Sequence, residues 1–213
     1  MIIVAGGASS RFGGDKLMTP IAGRPLVLHT LAAVAGSVDI CVLVCRGDQL
    51  GALMELAPDV IVVGGGETRT RSEMAGLAAL EDDVELIGIH DGGRPLVSSA
   101  LVESLFEIAA EVGGATPVLP SARPLVQRSD LRRLQDAAVA QTPQVFHGPS
   151  LQAAYQAAAS NGFEGHDTVD VVQAFGDLEV AAVEGDPGNI KVTFQSDLDL
   201  VRAVLDPARN EPR

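Results

Sequence analysis

The sequence MIIVAGGASSRFGGDK, residues 1–16, joins a short apolar run to a loop of glycines and small polar residues. The run contains Ile2, Ile3 and Val4, β-branched residues that favour strands. An apolar run of this kind predicts a strand buried on both faces, as in a parallel sheet. In the loop, Arg11 and Lys16 add two positive charges to a backbone that small residues leave accessible to an anion. The segment therefore predicts a buried strand followed directly by an anion-binding loop.

The rest of the chain alternates short apolar runs with longer amphipathic stretches. This alternation predicts an open, mostly parallel, Rossmann-like α/β sheet with helices on both faces. Right-handed crossovers then place the loops that follow the strands along one edge, where ligands of such sheets bind. The predicted strands are 1–5, 40–45, 60–63, 86–90, 115–119 and 179–183, and the predicted helices are 25–35, 49–56, 71–80, 98–110, 148–159 and 197–205.

The alternation breaks after Pro120. Residues 121–141 are irregular and hold four of the thirteen arginines, so they predict an inserted arm rather than another strand–helix unit. No repeat or linker divides the chain, and a single domain is expected over residues 1–207. The last residues, 208–213, are expected to be frayed.

The glycine-rich loop does not match the two common phosphate-binding signatures. A P-loop ends in Gly-Lys-Ser/Thr, and a dinucleotide-binding loop carries Gly-x-Gly-x-x-Gly and leads at once into a helix. An ordinary turn is the alternative interpretation. The two cations within the loop favour a phosphate ligand instead.

Composition argues against several classes of function. The net charge of −13 in 213 residues argues against nonspecific nucleic-acid binding, which rests on a broad basic surface. No apolar run approaches the roughly 18–20 residues that cross a bilayer, and no signal peptide is recognisable, so a cytoplasmic protein without membrane contact is expected. Cys41 and Cys45 would lie about 13 Å apart in a strand, too far for a disulfide, and are expected to be buried thiols. If the substrates are phosphates, the cations that bind them must be few and sharply placed.

A series of motifs in fixed order resembles one family of enzymes. The order Ala-Gly-Gly-x3-Arg-Phe-Gly-Gly-Asp-Lys at residues 5–16 resembles nucleotidyltransferases that activate sugars and alcohols. The later motifs resemble 2-C-methyl-D-erythritol 4-phosphate cytidylyltransferase and its relative, ribitol-5-phosphate cytidylyltransferase, across nearly the whole chain. They are Gly65-Gly66-Glu67-Thr68-Arg69 with Ser72, His90-Asp91-Gly92-Gly93-Arg94-Pro95, Gln141-Thr142-Pro143-Gln144 and Gly188-Asn189-Ile190-Lys191-Val192-Thr193.

This resemblance implies transfer of CMP from CTP to 2-C-methyl-D-erythritol 4-phosphate, with release of pyrophosphate, in isoprenoid precursor synthesis. It also implies a magnesium ion and a homodimer in which the arm crosses to the second subunit. The implied roles are as follows: Arg11, Lys16, Arg133 and Lys191 are catalytic, with Arg132 the alternative to Arg133; Ala5, Gly6, Gly7, Gly66, Glu67 and Ser72 bind the nucleotide; Asp91, Arg94 and Thr142 bind the acceptor, and Asp91 also lies at the metal.

The use of lysine supports this interpretation independently. Among fifteen basic residues only Lys16 and Lys191 are lysines, and both fall where the resemblance implies an ammonium group. In a chain that otherwise uses arginine, these positions indicate a compact point charge rather than a planar fork. The alternative is chance placement. The proposed chemistry requires that both ammonium groups converge on one cleft.

Several alternatives stay open at the level of sequence. In the first alternative, the acceptor is ribitol 5-phosphate or another sugar-alcohol phosphate. The ending Gly13-Gly14-Asp15-Lys16 resembles molybdenum-cofactor guanylyltransferases, which favours a guanylyl acceptor instead. A catalytically silent nucleotide-binding relative is favoured by two departures from the family. Leu134 occupies the family's arm-arginine position, one residue from Arg133, and Arg123-Pro124 stands where the family commonly has Asp-Thr. An NAD-binding oxidoreductase is the most distant alternative, because the first loop lacks its signature.

Overall fold

The computed structural model of the chain describes residues 1–7, 11–121 and 125–206. The tail predicted to fray, 208–213, and the pair Arg123-Pro124 lie outside the described residues. In the described ranges the strands are β1 (Ile2–Ala5), β2 (Pro20–Ile21), β3 (Arg24–Pro25), β4 (Val42–Cys45), β5 (Ile61–Gly64), β6 (Leu86–Asp91), β7 (Gly113–Pro120), β8 (Ala138–Ala140), β9 (Gln144–His147) and β10 (Glu179–Glu184). The α-helices are α1 (Leu26–Val34), α2 (Leu50–Leu56), α3 (Arg69–Leu77), α4 (Ser99–Val112), α5 (Gly148–Ser160), α6 (Thr168–Phe175) and α7 (Gln195–Leu205).

The main sheet runs in the order β10-β7-β9-β6-β1-β4-β5, and β8 pairs with the end of β7. Strand β1 is parallel to β4 on one side and to β6 on the other. Strands β4 and β5 are also parallel, as are β7 and β10. The mostly parallel sheet predicted from the apolar runs is therefore confirmed. The carboxyl ends of β1, β4, β5 and β6 meet at one edge.

Helices cover both faces of the sheet, as predicted. Helices α1, α2, α4 and α7 contribute buried apolar side chains to one core, and helices α3, α5 and α6 contribute to the other. Alternate residues of β1 divide between these cores, Ile3 facing the first and Ile2 the second. This period of two is what buries a central strand on both sides. No helix in the described ranges has the length and apolar content to cross a membrane.

Strand β9 is the main feature of the sheet that the apolar pattern does not predict. It lies antiparallel between β6 and β7 and joins strands β6, β1, β4 and β5 to strands β7 and β10. Only Val145 and Phe146 supply an apolar signal, and Pro143 and Pro149 flank them closely. The irregular segment before it includes the short strand β8 and a bridge between Val126 and Arg133.

The predicted thiols differ in their burial. Cys45 is buried at the end of β4, and its thiol lies 3.6 Å from the backbone oxygen of Val63. Cys41 is only partly buried, because it precedes β4 instead of lying within it. Both are free, as the predicted strand spacing requires.

A close approach between α3 and the sheet depends on Gly76. A Cβ atom there would lie 2.5 Å from Ile2 Cγ2 and 2.9 Å from Val44 Cγ2. Both neighbours are buried in the core beneath the helix. The absence of a side chain at residue 76 therefore sets the height of α3 above β1 and β4.

We expect Gly76→Ala to lower the free energy of unfolding by about 1–3 kcal/mol, since overpacking costs more than the helix propensity gained. The matched control is Gly51→Ala in α2, where an added Cβ meets nothing within 4 Å. That substitution should leave stability unchanged or raise it by about 0.5–1 kcal/mol. Urea denaturation of both variants measures the difference, and equal effects would contradict the packing argument.

Candidate active site

A cleft of about 690 Å³ opens at the edge of the sheet where β1, β4, β5 and β6 end. The loops that follow these strands and the loop between β10 and α7 line it. Among the described residues, the charged side chains that line it are Arg11, Lys16, Arg46, Arg69, Lys191, Glu67 and Asp91. Five cations against two carboxylates make a positive site in a chain of net charge −13. The cleft therefore suits a polyanionic ligand despite the acidic surface around it.

Lys16 ends the first loop and reaches the segment that carries the second lysine. Its Nζ donates a 2.7 Å hydrogen bond to the backbone oxygen of Val192. A Cβ atom at Gly93 would lie 3.1 Å from the same Nζ, so the glycine leaves room for the ammonium group. Burial lowers the pKa of Lys16, and the charge of Lys191 lowers it further. The two lysines, distant in sequence, share one cleft, which the proposed chemistry requires.

Asp91 ends β6 at the cleft and is the shared anion of three cations. Its Oδ1 lies 2.7 Å from Arg69 Nη1, while its Oδ2 lies 2.8 Å from Lys191 Nζ and 3.2 Å from Arg94 Nε. Burial alone would raise the pKa of Asp91, but the charges of Arg69, Lys191 and Arg94 hold it well below its usual range. Asp91 is therefore a carboxylate throughout the neutral pH range.

Arg94 and Thr142 contact Asp91 without lining the cleft. Arg94 is buried, and its Nη1 donates a 2.7 Å hydrogen bond to the backbone oxygen of Asn189. The hydroxyl of Thr142 accepts a 3.0 Å hydrogen bond from the backbone N–H of Asp91. Both side chains thus fix the end of β6. Their contact with the acceptor remains a prediction.

His90 lies directly behind Asp91 and is completely buried. The Thr142 hydroxyl lies 3.1 Å from its Nδ1, and its Nε2 lies 3.2 Å from the backbone oxygen of Arg94. Because Nε2 faces an acceptor, it donates, and Nδ1 accepts from the hydroxyl; these partners assign the neutral tautomer with its proton on Nε2. Burial lowers the pKa of His90 to about 4. The residue is thus a structural hydrogen bonder, in agreement with the interpretation that it is not a catalyst.

We expect the buried neutral His90 to make stability fall as the pH falls from 6.5 to about 4. Over this range the unfolded chain binds a proton at residue 90 while the folded chain does not, because the folded pKa is about 4 against the ordinary histidine pKa of 6.5. The loss attributable to this residue is about 3 kcal/mol. Urea denaturation at several pH values measures it.

The matched variants separate His90 from other titrating groups. His90→Gln should flatten the pH dependence between pH 6.5 and 4, whereas His166→Gln removes an exposed imidazole and should keep the wild-type slope. An unchanged slope in His90→Gln would contradict the assignment.

The loop after β5 forms the wall that was predicted to hold the nucleotide. Thr68 caps α3, its hydroxyl accepting a 3.1 Å hydrogen bond from the backbone N–H of Arg71. Ser72 donates a 2.9 Å hydrogen bond to the backbone oxygen of Thr68. A Cβ atom at Gly66 would lie 2.4 Å from Arg71 Cβ, so only glycine fits this turn. The capped helix and the glycine together fix the loop at the cleft.

Most of the predicted site residues meet at the cleft, and some do not. Those that line it are Gly6, Gly7, Arg11, Lys16, Gly66, Glu67, Ser72, Asp91 and Lys191. Ala5 is buried as the last residue of β1. Arg133 lies on the arm and lines a second cavity of about 370 Å³, and its alternative, Arg132, is exposed on the same segment.

Two cations of the cleft were given no role from the sequence: Arg46 was not singled out, and Arg69 was quoted only as the last residue of a motif. Arg46 follows β4, lines the cleft and pairs with Asp48 at 2.7 Å. Arg69 opens α3 and pairs with Asp91. The available signal was position: each follows a predicted strand at the ligand edge. Nothing in the local sequence shows that Arg69 meets a carboxylate on another strand.

The described residues do not form a metal site from protein ligands alone. They contain no group of three or more His, Cys, Asp or Glu side chains placed to hold an ion. Asp91 and Glu67 are the carboxylates of the described cleft lining. Magnesium commonly takes one or two carboxylates and completes its shell with phosphate oxygens and water. The donor set therefore fits an ion that arrives with a polyphosphate, and it does not fit a resident metal centre.

The positive cleft and the open α/β sheet define the protein as a nucleotidyltransferase. Its charged groups are mostly cations, which suit a polyphosphate, and no nucleophile–base pair stands among the described cleft-lining residues. The chain belongs to the 2-C-methyl-D-erythritol 4-phosphate cytidylyltransferase family, whose sequence profile matches residues 1–207.

Individual relatives agree with this assignment over nearly their full lengths. The 2-C-methyl-D-erythritol 4-phosphate cytidylyltransferase of Cereibacter sphaeroides (strain KD131) is 38% identical, with 96% of this chain and 95% of the relative covered. That of Prochlorococcus marinus (strain MIT 9313) is 34% identical, with 96% and 97% covered. The crystal structure of 4-diphosphocytidyl-2C-methyl-D-erythritol synthase from Anaerococcus prevotii superposes with a TM-score of 0.84 at 27% identity, covering 96% of both chains. The cytidylyltransferase structure from Thermus thermophilus gives 0.79 at 29% identity, with 98% of both covered.

Proposed function

We propose that this protein transfers CMP from CTP to 2-C-methyl-D-erythritol 4-phosphate in isoprenoid precursor synthesis. An oxygen of the acceptor's phosphate attacks the α-phosphorus of CTP and forms a new P–O bond. The bond from the α-phosphorus to the oxygen bridging it to the β-phosphorus breaks, and pyrophosphate leaves. The family and its curated relatives support this reaction.

The observation that carries the proposal is the convergence of Lys16 and Lys191 on one cleft. A phosphate monoester has a second pKa of about 6, so the acceptor is already a nucleophile near neutral pH and needs no general base. The barrier is electrostatic, since one anion must approach another. Fixed cations lower it, and each interacts with a unit charge 4 Å away by about 4 kcal/mol at an effective dielectric of 20.

In this proposal the cleft has a nucleotide side and an acceptor side. Gly6, Gly7, Gly66, Glu67 and Ser72 line the nucleotide side, with Ala5 supporting the loop from the end of β1. Arg11 and Lys16 stabilise charge on the α-phosphate, while Lys191 holds the acceptor's phosphate. Asp91, Arg94 and Thr142 belong to the acceptor side. Support for this division is the order of the loops along the sheet edge.

Magnesium is part of the same proposal. The three ionic contacts of Asp91 use three of about four acceptor positions on its carboxylate, which leaves one for a further ligand. Asp91 and the phosphates of CTP would hold the ion together. When bound, magnesium supplies positive charge to the triphosphate oxygens.

The arm supports a homodimer as a further part of the proposal. Five large apolar side chains within residues 125–139 are exposed, namely Leu125, Val126, Leu131, Leu134 and Val139. Such a cluster on a monomer favours burial against another surface. A second copy of the chain would cover it and bring Arg133 toward the partner's cleft.

Light scattering should give a dimer, and Leu131→Asp should shift it toward the monomer. A wild-type monomer at micromolar concentration would exclude this part.

The expected cytoplasmic location belongs to the proposal as well. Its support is the pair of free thiols, Cys41 and Cys45, which suit a reducing compartment.

A substrate panel tests the activity. Purified protein with magnesium is given CTP or GTP, each with 2-C-methyl-D-erythritol 4-phosphate or ribitol 5-phosphate, and pyrophosphate release is measured. CTP with the methylerythritol acceptor should exceed every other pair by orders of magnitude. If ribitol 5-phosphate is preferred, it is the acceptor in place of 2-C-methyl-D-erythritol 4-phosphate, and the reaction class stands. CTP binding without pyrophosphate release from any pair would establish a silent relative and remove the proposal.

A further inference from the structure

Glu73 is a buried carboxylate that does not line the cleft. It lies in α3 with no exposed surface. Tyr155 donates a short hydrogen bond to its Oε2, and Thr168 donates a 3.1 Å hydrogen bond to its Oε1. These two partners come from α5 and α6, on the face of the sheet covered by α3. Helices outside the active site thus fix the position of this carboxylate.

Arg69 connects Glu73 to the cleft. Its Nε lies 2.8 Å from Glu73 Oε1, one turn away along α3, and its Nη1 lies 2.7 Å from Asp91 Oδ1. The guanidinium is therefore held between two carboxylates, and its side chain is 23% exposed at the cleft. Its buried Nε and Nη2 have no hydrogen-bond partner in the described structure, so the contact with Glu73 is an ion pair without a hydrogen bond. The ion pairs with Glu73 and Asp91 therefore determine the orientation of the guanidinium group.

The position of Arg69 determines the orientation of the Asp91 carboxylate. Arg69 holds its Oδ1, so the plane of the carboxylate presents Oδ2 to Lys191 at 2.8 Å. Four alternating charges follow one another from the helix layer to the cleft: Glu73, Arg69, Asp91 and Lys191. A rotation of Arg69 would turn Asp91 and move the ammonium group of Lys191 with it.

We propose that Glu73 is a positioning residue for the transfer reaction, acting through Arg69 to orient Asp91 and Lys191. A buried carboxylate is costly to hold in a core where an apolar residue would pack. Tyr155 and Thr168 hold the Glu73 carboxylate in place, and its remaining contact is the ion pair with Arg69. This inference rests on the proposed function for its kinetic test, and on the Glu73–Arg69 pair alone for its spectroscopic test.

The kinetic test is a double-mutant cycle on kcat with Glu73→Gln and Arg69→Gln. Glu73→Gln should lower kcat by at least about tenfold, because small misplacements of reacting groups cost that much or more, while CTP binding by calorimetry stays near wild type. If Glu73 acts through Arg69, the double variant loses no more than Arg69→Gln alone. Independent roles would multiply the two losses, and that result would overturn the proposal.

A matched variant separates positioning from stability. Val172→Ala makes a cavity in α6, where Val172 is buried in the apolar core on that face of the sheet, and it removes no charged or hydrogen-bonding group. It should lower the free energy of unfolding and leave kcat unchanged at a temperature where every variant is folded. If its kcat falls as far as that of Glu73→Gln, the effect is a general loss of stability and the inference fails.

The spectroscopic test needs no substrate. The Nη1–H of Arg69, which donates a 2.7 Å hydrogen bond to Asp91 Oδ1, gives a signal identified by its loss in Arg69→Lys. If Glu73 orients Arg69, this signal should be protected from exchange in the wild type and lose that protection in Glu73→Gln. Unaltered protection would overturn the inference even if the enzyme is active. Lost protection in a protein that releases no pyrophosphate would retain the pairing and remove only the proposed function.

Discussion

Replacing Lys191 with alanine is expected to lower kcat by at least about a hundredfold while leaving CTP binding near its wild-type strength. Lys191 lies on the loop between β10 and α7, and its side chain is 39% exposed at the cleft. Its resting partner is Asp91 at 2.8 Å. In the proposed reaction it neutralises the attacking phosphate, which is absent when CTP alone is bound. Steady-state pyrophosphate release and calorimetry with CTP measure the two quantities.

Two further variants show whether charge or shape is responsible. Lys191→Arg keeps the charge but replaces a compact ammonium group by a planar fork, and it should recover only part of the activity. Arg202→Ala removes a cation from the exposed pair with Asp199 and should leave kcat unchanged. If Lys191→Ala weakens CTP binding as much as it lowers kcat/KM, the lysine belongs to the nucleotide side and the proposed division of the cleft is wrong.

The alternation of apolar runs predicts most of the sheet because a central parallel strand is buried on both faces and needs a continuous apolar segment. Strands β1, β4, β5 and β6 each fall within two residues of the predicted bounds. Strand β9 escapes this reasoning. Its two apolar residues give too short a pattern, and its partners, Ile87 and Gly114 against Phe146, are remote in sequence. Its place in the sheet is set by tertiary pairing.

The site follows the same division between local and distant information. The roles of Lys16 and Lys191 were implied by the family resemblance and supported by the use of lysine at only two positions. Asp91 was also marked by its place at the end of a predicted strand, and all three residues line the cleft. The pairing of Arg69 with Asp91 depends on how α3 lies above the sheet, where Gly76 lets the helix approach β1. The spacing of apolar residues along the chain does not reveal how close α3 lies to the sheet. Arg133 depends on a second chain in the proposed assembly, which one sequence does not position.

The second large effect is expected at Asp91, whose replacement by asparagine should lower the free energy of unfolding by about 3–5 kcal/mol. Asparagine keeps the shape but removes the negative charge that three cations share. Arg94 is the most affected, since it is buried beside Asp91 and its remaining named partner is the neutral backbone oxygen of Asn189. A buried cation without a counter-ion carries an uncompensated desolvation cost. Urea denaturation at neutral pH measures the loss.

A matched surface substitution shows how much of this effect comes from burial. Asp199→Asn breaks the exposed pair with Arg202 and should change the free energy of unfolding by less than about 1 kcal/mol. Because the cations hold the pKa of Asp91 well below its usual range, the wild type should keep this stabilisation above the ordinary carboxylate pKa and lose it only as the pH falls below that value. Asp91→Asn should lack this acid transition. If instead the asparagine variant is as stable as the wild type, the three cations do not need the carboxylate when no substrate is added. The carboxylate of Asp91 would then serve only substrate binding. The series of alternating charges from Glu73 to Lys191 would form only when the substrates bind.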